Sequence, residues 1–292
     1  MNGGFASFHP VPCFFYYTGV IVFAMLFFHP IFLLTALVLL LVLNVLHKRS
    51  QQLRRLFSLY LVLGGALIVL NPLFSQRGVH ILFYFLERPI TLEAVVYGCT
   101  MMLSVLVILL AFLSYHYVIT TDKLMYLFSR FAPKTTLLAM MAIRFVPLLR
   151  RRLYQIALVQ RTKGVSIYHG SLAKRARDGM KLLHILLIWS LEEALQTADS
   201  MKGRGYGTAK RSFYFPYRME RRDWAVLLAL GVTGIVCIAG WGIGYGVLPI
   251  YPRLGHLLLT PAETVIYVVF CIYLLIPLWI EGKERKVWQR LK

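Results

Sequence analysis

Two short stretches of this chain set a cation against glycine at points where a helix has to stop. The first is QRTKG, residues 160–164; the second is MKGRGYG, residues 201–207. Leu149, Leu153, Ile156 and Gln160 form a stripe leading into the first, in a helix expected from about Ile143 to Lys163. Leu191, Leu195, Ala198 and Met201 lead into the second, in a helix expected from about Ser190. Glycine just beyond the last turn can take the left-handed conformation that closes a helix. A cation there faces carbonyls that carry partial negative charge. That much is ordinary capping. The same arrangement also makes a docking knob, because bare backbone lets another protein approach and arginine offers a rigid fork of donors to a carboxylate. Lys163 and Arg204, 41 residues apart in one basic block, make a pair of such ends.

Other chemistry is scarce. Cys13, Cys99, Cys237 and Cys271 sit singly in apolar segments with no CxxC, so neither a redox pair nor a zinc site is indicated. The eight histidines form no HExxH or HxxxH pair, and no metal site is expected. The only Gly-Lys, Gly282-Lys283, lacks the upstream glycine and the following Ser or Thr of a phosphate-binding loop. ATP is therefore not expected on this chain. Glu93 and Glu263 stand at the edges of apolar runs rather than inside them, which weakens an ion-driven mechanism. No acid–base or nucleophile constellation emerges, so the chain is read as non-catalytic.

The elements that must carry the two ends are mostly membrane spans. The chain is 59% apolar and 15% charged, with a mean hydropathy of +0.67, against about 25% charged for a soluble domain. Uncharged runs occupy 1–47, 56–76, 94–121, 224–252 and 264–280. At roughly 20 residues per crossing, and with His29-Pro30 dividing the first run, about six spans are expected. They lie near 13–28, 31–47, 56–74, 94–118, 224–247 and 263–280. The start lacks the basic n-region of a signal peptide, so the first apolar segment is expected to stay as an anchor.

Of the 32 Lys and Arg, four lie in 48–55, twenty in 119–223 and five in 281–292; only Arg77, Arg88 and Arg253 fall elsewhere. This alternation is the positive-inside pattern, which puts both termini and 119–223 in the cytoplasm. Anionic lipid accounts for the net charge of +20, and no nucleic-acid partner is expected, since no recognition module of that kind is present.

Three regions follow: N-terminal spans in 1–118, a basic cytoplasmic module in 119–223, and two C-terminal spans with a basic tail in 224–292. The middle block is too apolar for a disordered tail. Its apolar pieces, TTLLAMMAI (135–143) and LLHILLIWS (182–190), are too short to span. The fold class is therefore an all-α membrane protein with a helical cytoplasmic module. A coupling subunit and a self-contained secondary transporter or channel both fit six spans; only the first explains two basic-glycine helix ends.

Four stretches in order resemble the transmembrane T component of energy-coupling factor (ECF) importers, the CbiQ-type permease family. They are NPLF (71–74) with Gly78, ITLEAVVYG (90–98), AIRFVPLLRRRLYQIALVQRTKG (142–164) and TADSMKGRGYG (197–207). The resemblance covers roughly 55–210. It implies two coupling helices, each ending in an Ala-Arg-Gly signature that inserts into one of two cytoplasmic ABC ATPase subunits. ATP and Mg would be bound by those partners, and a small membrane S component would capture a vitamin or a transition-metal ion. Carried over, the signatures fall on Thr162-Lys163-Gly164, with Arg161 nearby, and on Gly203-Arg204-Gly205. Both depart from the pattern in their first residue, and the first has lysine for arginine. Asn71-Pro72 and Arg144 with Pro147 match family-pattern positions, the first pair expected to end a span and the second to start and kink a coupling helix.

Overall fold

The structure is a computed structural model. It describes residues 4–47, 50–74, 78–85, 88–168, 170–208, 217–250, 255 and 258–290. Lys48, Arg49, Arg77, Lys210, Arg211 and Arg253 of the charge pattern lie outside the described residues, as do the tail side chains beyond Lys283. After a 3-10 turn (Gly4–Ser7) come α1 (Pro10–Leu26), α2 (Pro30–Leu46), α3 (Ser50–Phe74) and α4 (Leu92–Val118). Then follow α5 (Thr121–Ser129), α6 (Pro133–Thr162), α7 (Leu172–Gly203), α8 (Arg221–Gly242) and α9 (Pro261–Arg290). The fold is that of an all-α membrane protein. Among the described residues the one sheet is a small antiparallel hairpin between α3 and α4, formed by β1 (Ile81–Phe85) and β2 (Arg88–Thr91).

Among the described residues three helices are long and apolar enough to cross a membrane: Leu92–Val118, Arg221–Gly242 and Pro261–Lys283. The shorter apolar helices Pro10–Leu26, Pro30–Leu46 and Ser58–Phe74 coincide with the other three expected spans. By contact the chain divides into two compact units, residues 1–124 with 217–292, and residues 125–216.

In the first unit α4 packs on α1, α2 and α3, while α9 packs on α2 and α8. Lipid gives little hydrophobic drive between helices, so close packing and interhelical hydrogen bonds hold them together. Tyr16 and Tyr273 stack with centroids 5.6 Å apart, and the Tyr273 hydroxyl donates to the Phe15 and Tyr16 carbonyls at 3.0 Å each. Ser104 donates to the Ala24 carbonyl at 2.7 Å, tying α4 to α1. Asn44 Nδ2 donates to the Leu110 carbonyl at 3.1 Å, tying α2 to α4. Tyr17, Ser114 and His47 form a buried chain at 2.7 and 3.2 Å.

One end of this bundle gathers the polar groups. The Phe5 N–H donates to Glu281 at 3.0 Å and the His9 N–H to Asp223 at 3.3 Å. Buried Lys123 donates to the Ala6 carbonyl at 2.7 Å and the Phe8 carbonyl at 3.3 Å. Burial pulls this ammonium below the ordinary lysine range. The N-terminal turn is thus pinned to α5, α8 and α9 at once. Near the hairpin, fully buried Glu93 accepts from the Val79 N–H (3.3 Å), the His80 N–H (3.1 Å) and His80 Nδ1 (2.9 Å). A Cβ on Gly78 would lie 2.6 Å from that carboxylate, so only glycine lets the chain pass.

In the second unit α6 and α7 pack together, with the Arg152 guanidinium 4.6 Å from the Trp189 ring centroid. Both helices begin earlier than the sequence reading had them. α6 starts at Pro133, whose fixed φ suits a first helical position, so TTLLAMMAI is its first half. Arg144 therefore sits mid-helix rather than at a start, and Pro147 lies within the helix. α7 starts after Ser171, whose side chain accepts from the Lys174 N–H at 3.4 Å. LLHILLIWS lies inside that helix.

The two His-Pro pairs share one device. His9 and His29 each cap a helix through Nδ1, which accepts from the Val11 and Ile31 N–H groups at 3.3 Å. A protonated ring has no lone pair for this task. Burial lowers the pKa of both. Asp223 opposes the shift and Lys123 adds to it at His9, while Glu263 opposes it at His29. The caps are therefore intact above about pH 6.5 and are lost as pH falls through the lowered folded-state values. Thermal unfolding of the detergent-solubilised chain should show a lower midpoint at pH 5.0 than at 7.5. At about 1 kcal/mol per cap, the His9→Asn/His29→Asn variant, which keeps a capping oxygen, should show a visibly smaller loss.

Candidate functional site

The ends of α6 and α7 are built alike, residue for residue. Lys163 and Arg204 are the two C-caps, with φ, ψ of −94°, 12° and −85°, 9°. Gly164 and Gly205 follow at φ of 75° and 76°. The Gly164 N–H donates to the Arg161 carbonyl at 3.0 Å and the Val165 N–H to the Gln160 carbonyl at 3.1 Å. At the other end the Gly205 N–H donates to Lys202 at 2.9 Å and the Tyr206 N–H to Met201 at 3.0 Å. These paired bonds are the Schellman closure, which satisfies carbonyls a helix end would leave bare.

The register matches Gln160 with Met201, Arg161 with Lys202, Thr162 with Gly203, and Lys163 with Arg204. Both cap side chains are exposed, and among the described residues neither takes part in an ion pair. A Cβ added at Gly164 or Gly203 would meet nothing within 4 Å. At Gly205 it would meet Thr208 Oγ1 at 3.2 Å, so the backbone after the cation is open at the first end and partly covered by Thr208 at the second.

The ends differ in what surrounds the cation. Thr162 Oγ1 donates to the Val159 carbonyl at 2.7 Å, and the Arg161 guanidinium lies 5.1 Å from the Tyr168 ring centroid. The segment after Gly164 is fastened to the start of α7. The Ser166 N–H donates to buried Asp178 at 3.3 Å, and Arg175 Nε donates to the Ile167 carbonyl at 2.7 Å. Sequence reading missed this anchor, although Asp178 is the one acid in the basic run AKRARDGMK and so marked itself as unusual. At the second end Thr208 Oγ1 donates to the Gly205 carbonyl at 2.7 Å, and the chain beyond Thr208 lies outside the described residues.

Asn71, Pro72, Arg144 and Pro147 do not join these ends. Asn71 and Pro72 occupy the last turn of α3 in the first unit, with the Asn71 Nδ2 3.8 Å from Met101 Sδ on α4. Gly98 lets α4 come close there, since an added Cβ would stand 3.4 Å from Asn71 Cβ. Arg144 and Pro147 lie mid-way along α6, several turns from Lys163. Among the described residues no group of His, Cys, Asp and Glu is arranged to hold a metal ion.

An L-residue with a side chain loses roughly 1–2 kcal/mol in the left-handed conformation. Gly164→Ala and Gly205→Ala should each loosen the last turn by about that amount. Hydrogen exchange at the Val165 and Tyr206 amides should quicken roughly tenfold in the respective variant and stay unchanged at the other end.

Comparison with known proteins fits this geometry. The family described as "CbiQ: Cobalt transport protein" matches residues 11–215, which include both helix ends. The chain is similar to the "Energy-coupling factor transporter transmembrane protein EcfT" of Staphylococcus aureus, 33% identical over 99 residues, 34% of this chain and 35% of that protein. The protein of the same description from Leuconostoc gelidum is 35% identical over 95 residues (32% and 35% of the two chains). That from Lactobacillus helveticus is 37% identical over 83 residues (28% and 30%). The matches thus span about a third of the length of these relatives. The chain belongs to the CbiQ family of transport proteins and is a multi-pass membrane protein similar to the transmembrane component of energy-coupling factor transporters.

Proposed function

We propose that this chain is the coupling subunit of an ECF-type importer, with the ends of α6 and α7 as its contacts to two cytoplasmic ABC ATPase subunits. The observation that carries the reading is the duplicate closure, with a solvent-exposed cation at the same cap position and a glycine at positive φ after it. A helix needs only one such end to stop; two alike in one compact unit fit a pair of related sockets. Arg204 and Lys163 each enter an acidic groove, with Arg161, Thr162, Gly164, Gly203 and Gly205 shaping the approach. ATP and Mg are bound and turned over on the partners, and closure of the ATPases displaces the docked ends.

Motion then passes through the module of α6 and α7 to a small membrane S component that holds the vitamin or transition-metal ion. Leu187, Leu191 and Leu195 recur every four residues on α7 and are 61, 65 and 68% exposed. That apolar strip supports a membrane-facing partner. The charge bias supports a cytoplasmic module with both termini on the same side. It agrees with the close approach of the N-terminal turn and α9 at one end of the first unit.

Truncating one partner of a desolvated charge pair costs about 2–5 kcal/mol, roughly thirtyfold or more in association. In proteoliposomes carrying the whole complex, Arg204→Glu should abolish ATP-dependent uptake. Lys163→Glu should weaken uptake less, because lysine makes no bidentate contact to lose, and Lys163→Arg should keep full activity. Wild-type uptake in both charge-reversed variants would contradict the docking role.

A further inference from the structure

The first unit holds an elongated apolar cleft of about 400 Å³ between α2 and α3, floored by α4. α3 packs along α4 and barely touches α2, so the gap between them stays open. Leu37 and Leu41 of α2 and Met102 and Leu106 of α4 face it. On α3 its lining runs from Leu53 to Ile68, about 22 Å along the axis at 1.5 Å per residue. Gly65 leaves the wall bare, with no atom within 4 Å of where its Cβ would be.

These walls belong to membrane spans, so the medium that fills the cleft is hydrocarbon rather than water. A cavity of roughly 150 Å³ holds one benzene ring; on that scale the cleft has room for roughly sixteen carbon atoms. Its length and narrowness suit a chain, not a compact solute. Arg54 and Arg55 follow Leu53 directly, both exposed, just before the apolar stretch of α3 begins at Ser58. At 3.6 residues per turn Arg54 shares the face of α3 that carries Leu53, Tyr60, Leu61, Gly65 and Ile68, while Arg55 lies on the far side, and a cation at that end of an acyl-sized slot matches an anionic headgroup.

We propose that the cleft is a binding site for one anionic phospholipid, an acyl chain lying between α2 and α3 and its phosphate on Arg54. The bound chain completes the packing that α2 and α3 do not make with each other. This assignment is independent of the coupling role of α6 and α7. It predicts that α3 depends on lipid for its position, whichever subunits assemble around it.

Native mass spectrometry of the purified full chain in detergent, titrated with phosphatidylglycerol and with phosphatidylcholine of sixteen- to eighteen-carbon chains, tests it. Wild type should keep one phosphatidylglycerol under conditions that strip phosphatidylcholine. Arg54→Gln should lose that preference about fivefold, and Gly65→Phe should lose the adduct of either lipid. Equal retention of both lipids by wild type, or an undiminished adduct in Gly65→Phe, would overturn the site. If Gly65→Phe does not fold, Tyr60→Trp with brominated-chain phosphatidylglycerol replaces it. Quenching beyond that of wild type is expected, and its absence overturns the proposal. A photo-crosslinker at position 61 in native membranes should capture lipid; capture of a protein instead would assign the cleft to a partner helix and refute it.

Discussion

A helix that ends in a Schellman loop must place one residue at positive φ, and glycine is the residue that does so without strain. Gly164 and Gly205 meet that demand at the ends of α6 and α7. Their lack of side chains has a second effect, since it strips the surface beside the preceding residue. Lys163 and Arg204 therefore stand at the cap as exposed cations, the first on open backbone and the second beside Thr208. The capping constraint and the proposed docking role draw on the same two residues, and the position of everything else in the module follows from where those helices stop. Arginine and lysine at a helix C-terminus gain a little from the dipole alone. That gain does not require the cation to be left uncovered, and here both are.

The membrane unit obeys a different constraint. In hydrocarbon a polar group that lacks a partner is costly; Thr35, Thr100 and Thr233 donate within their own helices, while other polar side chains of the spans reach across. Ser104 reaches α1, Asn44 reaches α4, and Tyr17, Ser114 and His47 link three helices in one chain. Lys123, Asp223 and Glu281 pin the N-terminal turn to three separate elements. The result is a bundle fixed at one end by charge-assisted bonds and elsewhere by aromatic packing. Against it, α3 is the exception, resting on α4 alone for most of its length.

Sequence periodicity made the six apolar helices and both cation-glycine helix ends readable, because each rests on local pattern. Helix starts were harder. Pro133 and Ser171 are good starting residues, yet Arg144 and Pro147 drew attention to a later point in α6. A proline within a long helix is tolerated when neighbouring turns hold the geometry. The β1–β2 hairpin was not foreseen, since ILFYF reads equally as a short strand or as a fragment of a span. Least legible were the pairings of Lys123 with Ala6, His9 with Asp223 and Ser166 with Asp178. They join residues by tertiary contact, and nothing in the spacing of either partner announces the other. Even so, isolated charges in otherwise uniform stretches, such as Glu93 and Asp178, turn out to be the buried anchors.

The proposed coupling role requires that this chain work within a complex and not alone. Affinity purification of the tagged chain from its native membranes in mild detergent, with mass spectrometry of what accompanies it, tests that most directly. Two stoichiometric ABC ATPase subunits are expected, together with a small hydrophobic protein whose identity would name the substrate class. A chain that emerges alone and still moves solute in liposomes would contradict it.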